Sequence, residues 1–330
     1  EEGTGTWCGW CTRGLVGLST MANTHANDGT WIGIGVHNAD PMTVAAYDTE
    51  IGNFIGGYPS GIMDRHNVEV DPGLASLTAA YDQHVQINPE AKIEITGQTW
   101  NDASRAFTVD VATTFALDMN GADYNTALIV LENGVTGGNG YEQANYYDDG
   151  AAGPLVDWDG FNYVGAGDPI PAANMVYDHV ARQLVDGWDG SANSVPTNVV
   201  FNTANPFNYS GSIPAAHDET ETEFVALIIN NATGEIVNAT HAALNIPVGI
   251  NIINNSNFNI YPNPTTGLIN IEGVKGANIV VYDVLGAIVH NEVVASAKTT
   301  IDLSNLNKGS YFVKIINNNE VSTQRIVLTK

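Results

Sequence analysis

The sequence predicts a multidomain chain, α/β at its amino-terminal end and all-β over the rest. Three observations carry that reading. The 330 residues exceed what one ordinary core spans, so two or three domains are expected. Residues 8–87 switch between helical and strand periodicity, whereas later residues alternate apolar and polar positions between turn signals. Charged residues make up only 14% of a chain with 34 glycines, a balance that favours strands and turns.

Taken in order, the pair Cys8 and Cys11 in "TWCGWC" leads into a helix from Thr12 to about Asn27, with Leu15, Leu18, Ala22 and His25 at helical spacing. "TWIGIGVH" (Thr30–His37) is short and rich in Ile and Val, as a buried strand is. Asp40–Pro41 supplies a helix cap and a first-turn proline ahead of "VAAYDTEIGNFIG". Two short strands follow, Ser60–Arg65 and Val68–Val70, with a turn at His66–Asn67. Asp71–Pro72 repeats the cap signal before a helix carrying Leu74, Leu77, Tyr81 and Val85 on one face. Beyond residue 88, "AKIEITGQTW", "AFTVDVATTFAL" and "NTALIVLEN" read as half-buried antiparallel strands. "FVALIINNATGEIVNATHA" reads as a hairpin turning near Asn231–Gly234, and "NMVYDHVARQLVDGW" suits a helix or an extended segment equally. A Gly/Asp/Tyr-rich insertion spans about Gly134–Gly167. An Asn-rich linker at 251–257 then leads to short strands over 258–330, whose turn signals every 8–12 residues predict a small β-sandwich.

With 36 acidic against 11 basic residues, the net charge of −25 repels phosphate backbones and anionic membranes, so no nucleic-acid partner is expected. No stretch approaches the roughly 18–20 apolar residues of a membrane span, so no transmembrane segment is expected. The chain opens on Glu1 rather than Met, which is compatible with removal of a targeting segment.

The chain places both of its cysteines three positions apart. At a helix start they face one side and can close a small disulfide ring, and the helix end stabilises a thiolate there, helped by Arg13. Cys8, nearer the exposed end, is the expected nucleophile, and Cys11, one turn in, the expected resolving thiol. An inert local disulfide is the alternative. Zinc would need further ligands, and His25, His37 and His66 have no ligand spacing to the pair, so no metal and no cofactor are expected. The motifs "YYDDG", "DWDG" and "GWDG" read first as solvated Asp-Gly turns and alternatively as calcium loops, without the spacing of an EF-hand. No GxSxG, HExxH or phosphate-binding glycine loop occurs.

The element order from Cys8 to residue 87, with one strand placed in front, resembles that of thioredoxin-like domains. "TWCGWC" and "GYPSG" carry this likeness. The resemblance implies a cis bond at Tyr58–Pro59, with Pro59 facing the cysteines and shaping a groove for an extended peptide. Residues 3–245 resemble the outer-membrane-protein-28 family of secreted Bacteroidota proteins, through "TGTWCGWCTRG", "HNADPM", "GYPSGIMDR", "YDHVARQL" and "GWDG". That family joins a thioredoxin-like domain to an immunoglobulin-like β domain. The expected domains are therefore a truncated thioredoxin-like domain at 1–88 and an immunoglobulin-like β-sandwich domain at 89–250, then the linker and the small β-sandwich at 258–330. Two departures stand out. Gly9–Trp10 replaces the Gly-Pro between the cysteines of thioredoxin, and the fold's first strand is expected to be missing, since only six residues precede Trp7.

"NIYPNPTTGLINIE", "VYDVLGAIV", "LSNLNKGSYFVKI" and "QRIVLTK" resemble the type A sorting domain of the type IX secretion system. This implies that residues 258–330 engage that machinery for export across the outer membrane, giving a secreted or cell-surface, outer-membrane-associated protein. Thiol–disulfide exchange with extracytoplasmic protein thiols or disulfides, through Cys8, Cys11 and Pro59, is the expected activity. A surface binding or structural protein with a static Cys8–Cys11 bond is the alternative.

Overall fold

The computed structural model describes residues 1–246, 258–317 and 320–329, and the chain divides into two compact units, Glu1–Ile246 and Pro247–Lys330. The expected linker at 251–257 lies outside the described residues.

The first unit opens with β1 (Glu2–Thr4), α1 (Thr12–Thr24), β2 (Gly35–His37), α2 (Ala45–Ile51), β3 (Ser60–Ile62), β4 (Glu69–Val70) and α3 (Leu74–His84). A short strand, β1, precedes the cysteines, where the sequence reading placed none. It pairs in parallel with β2 (Glu2↔Gly35) and antiparallel with β3 (Gly3↔Ser60). A three-residue Glu-Gly-Thr strand held by main-chain hydrogen bonds carries no apolar signature, so periodicity does not reveal it. Two further expectations shift. Of Thr30–His37 only Gly35–His37 pairs as strand. Asp40 does not cap α2, whose N-cap is Val44. Its carboxylate instead accepts from the backbone of Thr6 (3.0 Å) and Met42 (2.9 Å), tying the cysteine loop to the segment after β2.

The chain continues through β5 (Ala91–Asn101), β6 (Ala106–Phe115), β7 (Met119–Asn120), β8 (Tyr124–Glu132), β9 (Val180–Val185), β10 (Asn198–Val199), β11 (Asn205–Ser212), β12 (Thr222–Asn230) and β13 (Ile236–Ala243). The segment that suits helix or strand equally is extended and supplies β9. One eight-stranded sheet runs in the order β13-β12-β8-β9-β2-β1-β3-β4. It crosses the boundary expected at 88/89, through the parallel pairing of Gly35 in β2 with Val180 in β9 and a 2.7 Å hydrogen bond from Gly35 N to His179 O. Residues 1–88 and 89–246 thus share a sheet within one compact unit.

The strands β8 and β12 explain why. Phe224, Ala226, Ile228, Leu128 and Val130 pack against the three-stranded sheet β11-β6-β5, on Phe107, Val109, Val111 and Phe115. The alternate residues Ala127, Ile129, Leu131, Val225, Leu227 and Ile229 face the other way, onto Ile34, Val36 and the α2 residues Tyr47 and Ile51. Covered on both faces, these strands are continuously apolar instead of half-buried.

The second unit contains β14 (Asn259–Tyr261), β15 (Leu268–Glu272), β16 (Asn278–Tyr282), β17 (Ile288–Val293), β18 (Lys298–Asp302), β19 (Gly309–Asn317) and β20 (Glu320–Leu328). Two antiparallel sheets, β14-β15-β18 and β17-β16-β19-β20, enclose a core that includes Ile269, Ile271, Ile279, Val281, Val313 and Ile326.

Candidate disulfide site

Cys8 and Cys11 form a disulfide with Cα atoms 5.3 Å apart, and Cys11 is the N-cap residue of α1. The loop is closed by local backbone bonds, Cys8 N to Gly5 O (3.1 Å) and Cys11 N to Cys8 O (3.0 Å). Cys8 is 5% exposed and Cys11 fully buried, whereas the neighbouring Trp7 and Trp10 are 51% and 43% exposed. The Tyr58–Pro59 bond is cis. Pro59 is buried immediately before β3, the strand that pairs with β1, and the Tyr58 ring lies 5.5 Å from that of Trp7.

The insertion after β8 covers the disulfide loop. Gln143, itself buried, donates its side-chain amide to the Cys8 carbonyl (3.0 Å). Ala144 N donates to Thr6 O (2.8 Å) and Tyr146 N to Gly9 O (2.9 Å). Tyr146 and Tyr147 stand edge-on to Trp10 at 5.5 and 5.7 Å. Gly9 is required there, because a Cβ at that position would overlap the Tyr146 ring. The aspartates of the insertion brace its turns: Asp148 accepts from Gly167 N (2.6 Å), Asp149 from Ala151 N (2.8 Å) and Asp157 from Phe161 N (2.7 Å). Among the described residues no group of three or more His, Cys, Asp or Glu side chains is arranged to hold a metal. His37 pairs with Asp40 at 2.6 Å in a buried contact, and His25 with Asp28 at 3.1 Å.

Beneath the helix that begins at the disulfide lies a residue that sequence reasoning missed. Glu2 on β1 is 2% exposed, and neither carboxyl oxygen has a hydrogen-bond partner among the described residues. Its carboxyl packs against Gly14 of α1, where any Cβ would overlap it, and Gly14 N bonds to Cys11 O (2.9 Å), one helical turn away. Burial pushes this carboxyl up to about 8, against weaker opposing pulls from the terminal ammonium and Arg13. What buries it is the pairing of β1 on both edges, which leaves no apolar pattern around Glu2 to mark it. Nothing in the sequence marks Gln143.

The adjacent Glu1 is treated differently. It accepts two hydrogen bonds from Arg65 Nε at 3.0 Å, one from Arg65 Nη2 (2.8 Å) and one from the Tyr47 hydroxyl (2.6 Å). Arg65, fully buried, also donates to Trp188 O (2.6 Å) and stacks 3.5 Å from the Trp188 ring. The "GWDG" motif therefore serves a structural contact between the two halves of the first unit.

Comparison with known proteins yields two family matches: outer membrane protein Omp28 over residues 45–247, and the secretion system C-terminal sorting domain over residues 259–329. No curated protein matches. Among solved structures, HBP35 of Porphyromonas gingivalis is similar at 14% identity, covering 99% of this chain and 96% of that one with a TM-score of 0.48. A domain of the outer membrane lipoprotein Omp28 from Porphyromonas gingivalis shares 13% identity over 48% of this chain and 91% of that one, with a TM-score of 0.26. No helix among the described residues is long and apolar enough to cross a membrane. The chain belongs to the Omp28 outer membrane protein family and carries a type IX sorting domain, which makes it a secreted, cell-surface or outer-membrane-associated protein.

Proposed function

We propose that the first 88 residues act as a thioredoxin-like element performing thiol–disulfide exchange on extracytoplasmic proteins, and that residues 258–330 engage the type IX machinery. Cys8 is the attacking sulfur, Cys11 the resolving sulfur, and Pro59 a wall of the peptide groove. The observation that carries the reading is the unpartnered Glu2 carboxyl, buried against Gly14, which is itself one helical turn along α1 from Cys11. The reduced pair needs a proton acceptor in a place water does not reach. The Cys8 thiolate attacks a target disulfide, forming a mixed disulfide and expelling one target thiolate, which takes a proton from solvent. Cys11 gives its proton to Glu2 and attacks Cys8, releasing the second target thiolate. The target gains two electrons and the chain ends as the Cys8–Cys11 disulfide. Burial raises the Glu2 carboxyl to about 8, so it takes that proton where it is ionised, toward and above pH 8. The order of exposure, Cys8 slightly and Cys11 not at all, suits attacker and resolver.

The test is reduction of a model protein disulfide by the prereduced full chain. Turnover is expected to vanish in Cys8→Ala, and a wild-type rate no higher than that of Cys8→Ala overturns the proposal. The closure of the site by Gln143 and Tyr146 favours a second reading, in which the disulfide is static and the protein binds partners at the surface. A reduction potential below about −300 mV, outside the range of redox enzymes, would select that reading.

A further inference from the structure

Trp7 and Trp10 lie on either side of Cys8 in the disulfide loop, and Tyr146 of the insertion stands against Trp10. All three side chains are about half exposed. Both indoles are nevertheless held in place. Trp7 donates its N–H to Asn38 O (2.8 Å) and lies edge-on to Tyr58, and Trp10 lies edge-on to Tyr146 and Tyr147. Rings braced on one side and open to water on the other are suited to anchor a partner, because little side-chain freedom is lost when they are covered.

The charge built into this patch has one sign. Asp48 accepts from the Tyr58 hydroxyl (3.0 Å), Asp40 from Thr6 N (3.0 Å), Glu142 from Gly140 N (2.7 Å) and Asp168 from Asn145 N (2.8 Å). The cation nearest in sequence, Arg13, is bound to Asp71 at 2.6 Å. The rest of the first unit follows the same rule. Residues 1–246 contain five basic residues, Arg13, Arg65, Lys92, Arg105 and Arg182, and each pairs with a carboxylate at 2.6–2.9 Å. Against them stand 31 Asp and Glu residues. Such a field repels an acidic thiol or peptide and draws in a cationic one, and an open indole face adds a cation–π contact for Lys or Arg. We infer that the substrate of the Cys8–Cys11 pair is a basic polypeptide, its Lys or Arg side chains beside the reacting cysteine laid on Trp7 and Trp10. This inference rests on the exchange reading and gives it a substrate class.

The experiment gives the prereduced full chain three synthetic peptide disulfides that differ only in the residues beside the cysteines: Lys, Ser or Glu. The readout is kcat/KM at about 0.02 M and about 0.5 M salt. At low salt the Lys peptide is expected to react at least about tenfold faster than the Ser peptide, with the Glu peptide slowest and the order compressed at high salt. Trp10→Ala is expected to cost the Lys peptide about threefold more than the Ser peptide. Equal rates for the Lys and Ser peptides, or a faster Glu peptide, overturn the inference and leave the exchange reaction standing. Binding is read separately, by fluorescence anisotropy of a labelled Lys peptide with serine in place of its cysteines, on the oxidised full chain. The peptide is expected to bind, and to bind more weakly to Trp7→Ala and Trp10→Ala. Binding that neither change weakens puts the peptide elsewhere on the acidic surface and overturns the inference, as does no binding at all. A Lys peptide that binds at the two indoles but is never reduced overturns the exchange reading and leaves the docking surface.

Discussion

The two faces of β1 handle neighbouring carboxylates in opposite ways. Toward α2, burial pushes Glu1 up, but the Arg65 guanidinium, the terminal ammonium and the Tyr47 hydroxyl outweigh it and hold the carboxyl below the usual range. Toward α1, burial meets no such answer, and Glu2 rises to about 8. Two successive glutamates with equal burial thus separate into a permanent anion and an acid that keeps its proton near neutrality. The difference lies in the partners, since the strand's alternation turns one side chain toward an arginine and the next toward a glycine.

The largest expected effect comes from erasing the difference. Arg65→Ala takes the guanidinium partner from the buried Glu1 charge, and chemical denaturation should show a loss of about 3–5 kcal/mol. Acidity separates the two faces next. Native Glu2 holds a proton that the unfolded chain releases above its ordinary value of 4.5, so this group's contribution falls as pH rises from 4.5 toward about 8. Glu1, with its lowered value, contributes in the opposite sense, losing stability as pH falls below its ordinary 4.5. Denaturation across pH should therefore show Glu2→Gln gaining on wild type by about 1.4 kcal/mol per unit at most within that window. A constant difference would show that Glu2 ionises normally. Gly14→Ala comes third. In an ordinary helix interior the change stabilises by about 0.5–1 kcal/mol. Here the new methyl overlaps the Glu2 carboxyl, and a thermal melt should show a loss of about 1–3 kcal/mol. The smallest effect is at the cover of the disulfide: Gln143→Ala removes the donor to the Cys8 carbonyl and should cost about 1 kcal/mol, with faster reduction of Cys8–Cys11 by dithiothreitol.

Much of this architecture can be read from residue patterns, and the rest has identifiable reasons for being hidden. The helices α1, α2 and α3 show their apolar spacing, and the cysteine pair and the Tyr-Pro dipeptide stand out by type and position. The strand β1 does not, because pairing on both edges stabilises it without apolar side chains. Glu2 is hidden for the same reason: a glutamate in an undetected strand reads as surface. The cover over the disulfide depends on Gln143 reaching a carbonyl 135 residues earlier in the chain, a meeting that no local pattern encodes. The apolar runs of β8 and β12 are visible, but a half-buried strand and one sandwiched between two cores differ only in what the second face meets.

The pairing of Gly35 with Val180 has a consequence for how such chains diversify. A segment ending at residue 88 would expose β2 as a raw edge, with unpaired amides inviting self-association. The cysteine-bearing portion is therefore no transferable cassette. It is expected to be inherited, excised or grafted only together with β8, β9 and β12, whereas the described strands of the carboxy-terminal unit pair among themselves around their own core.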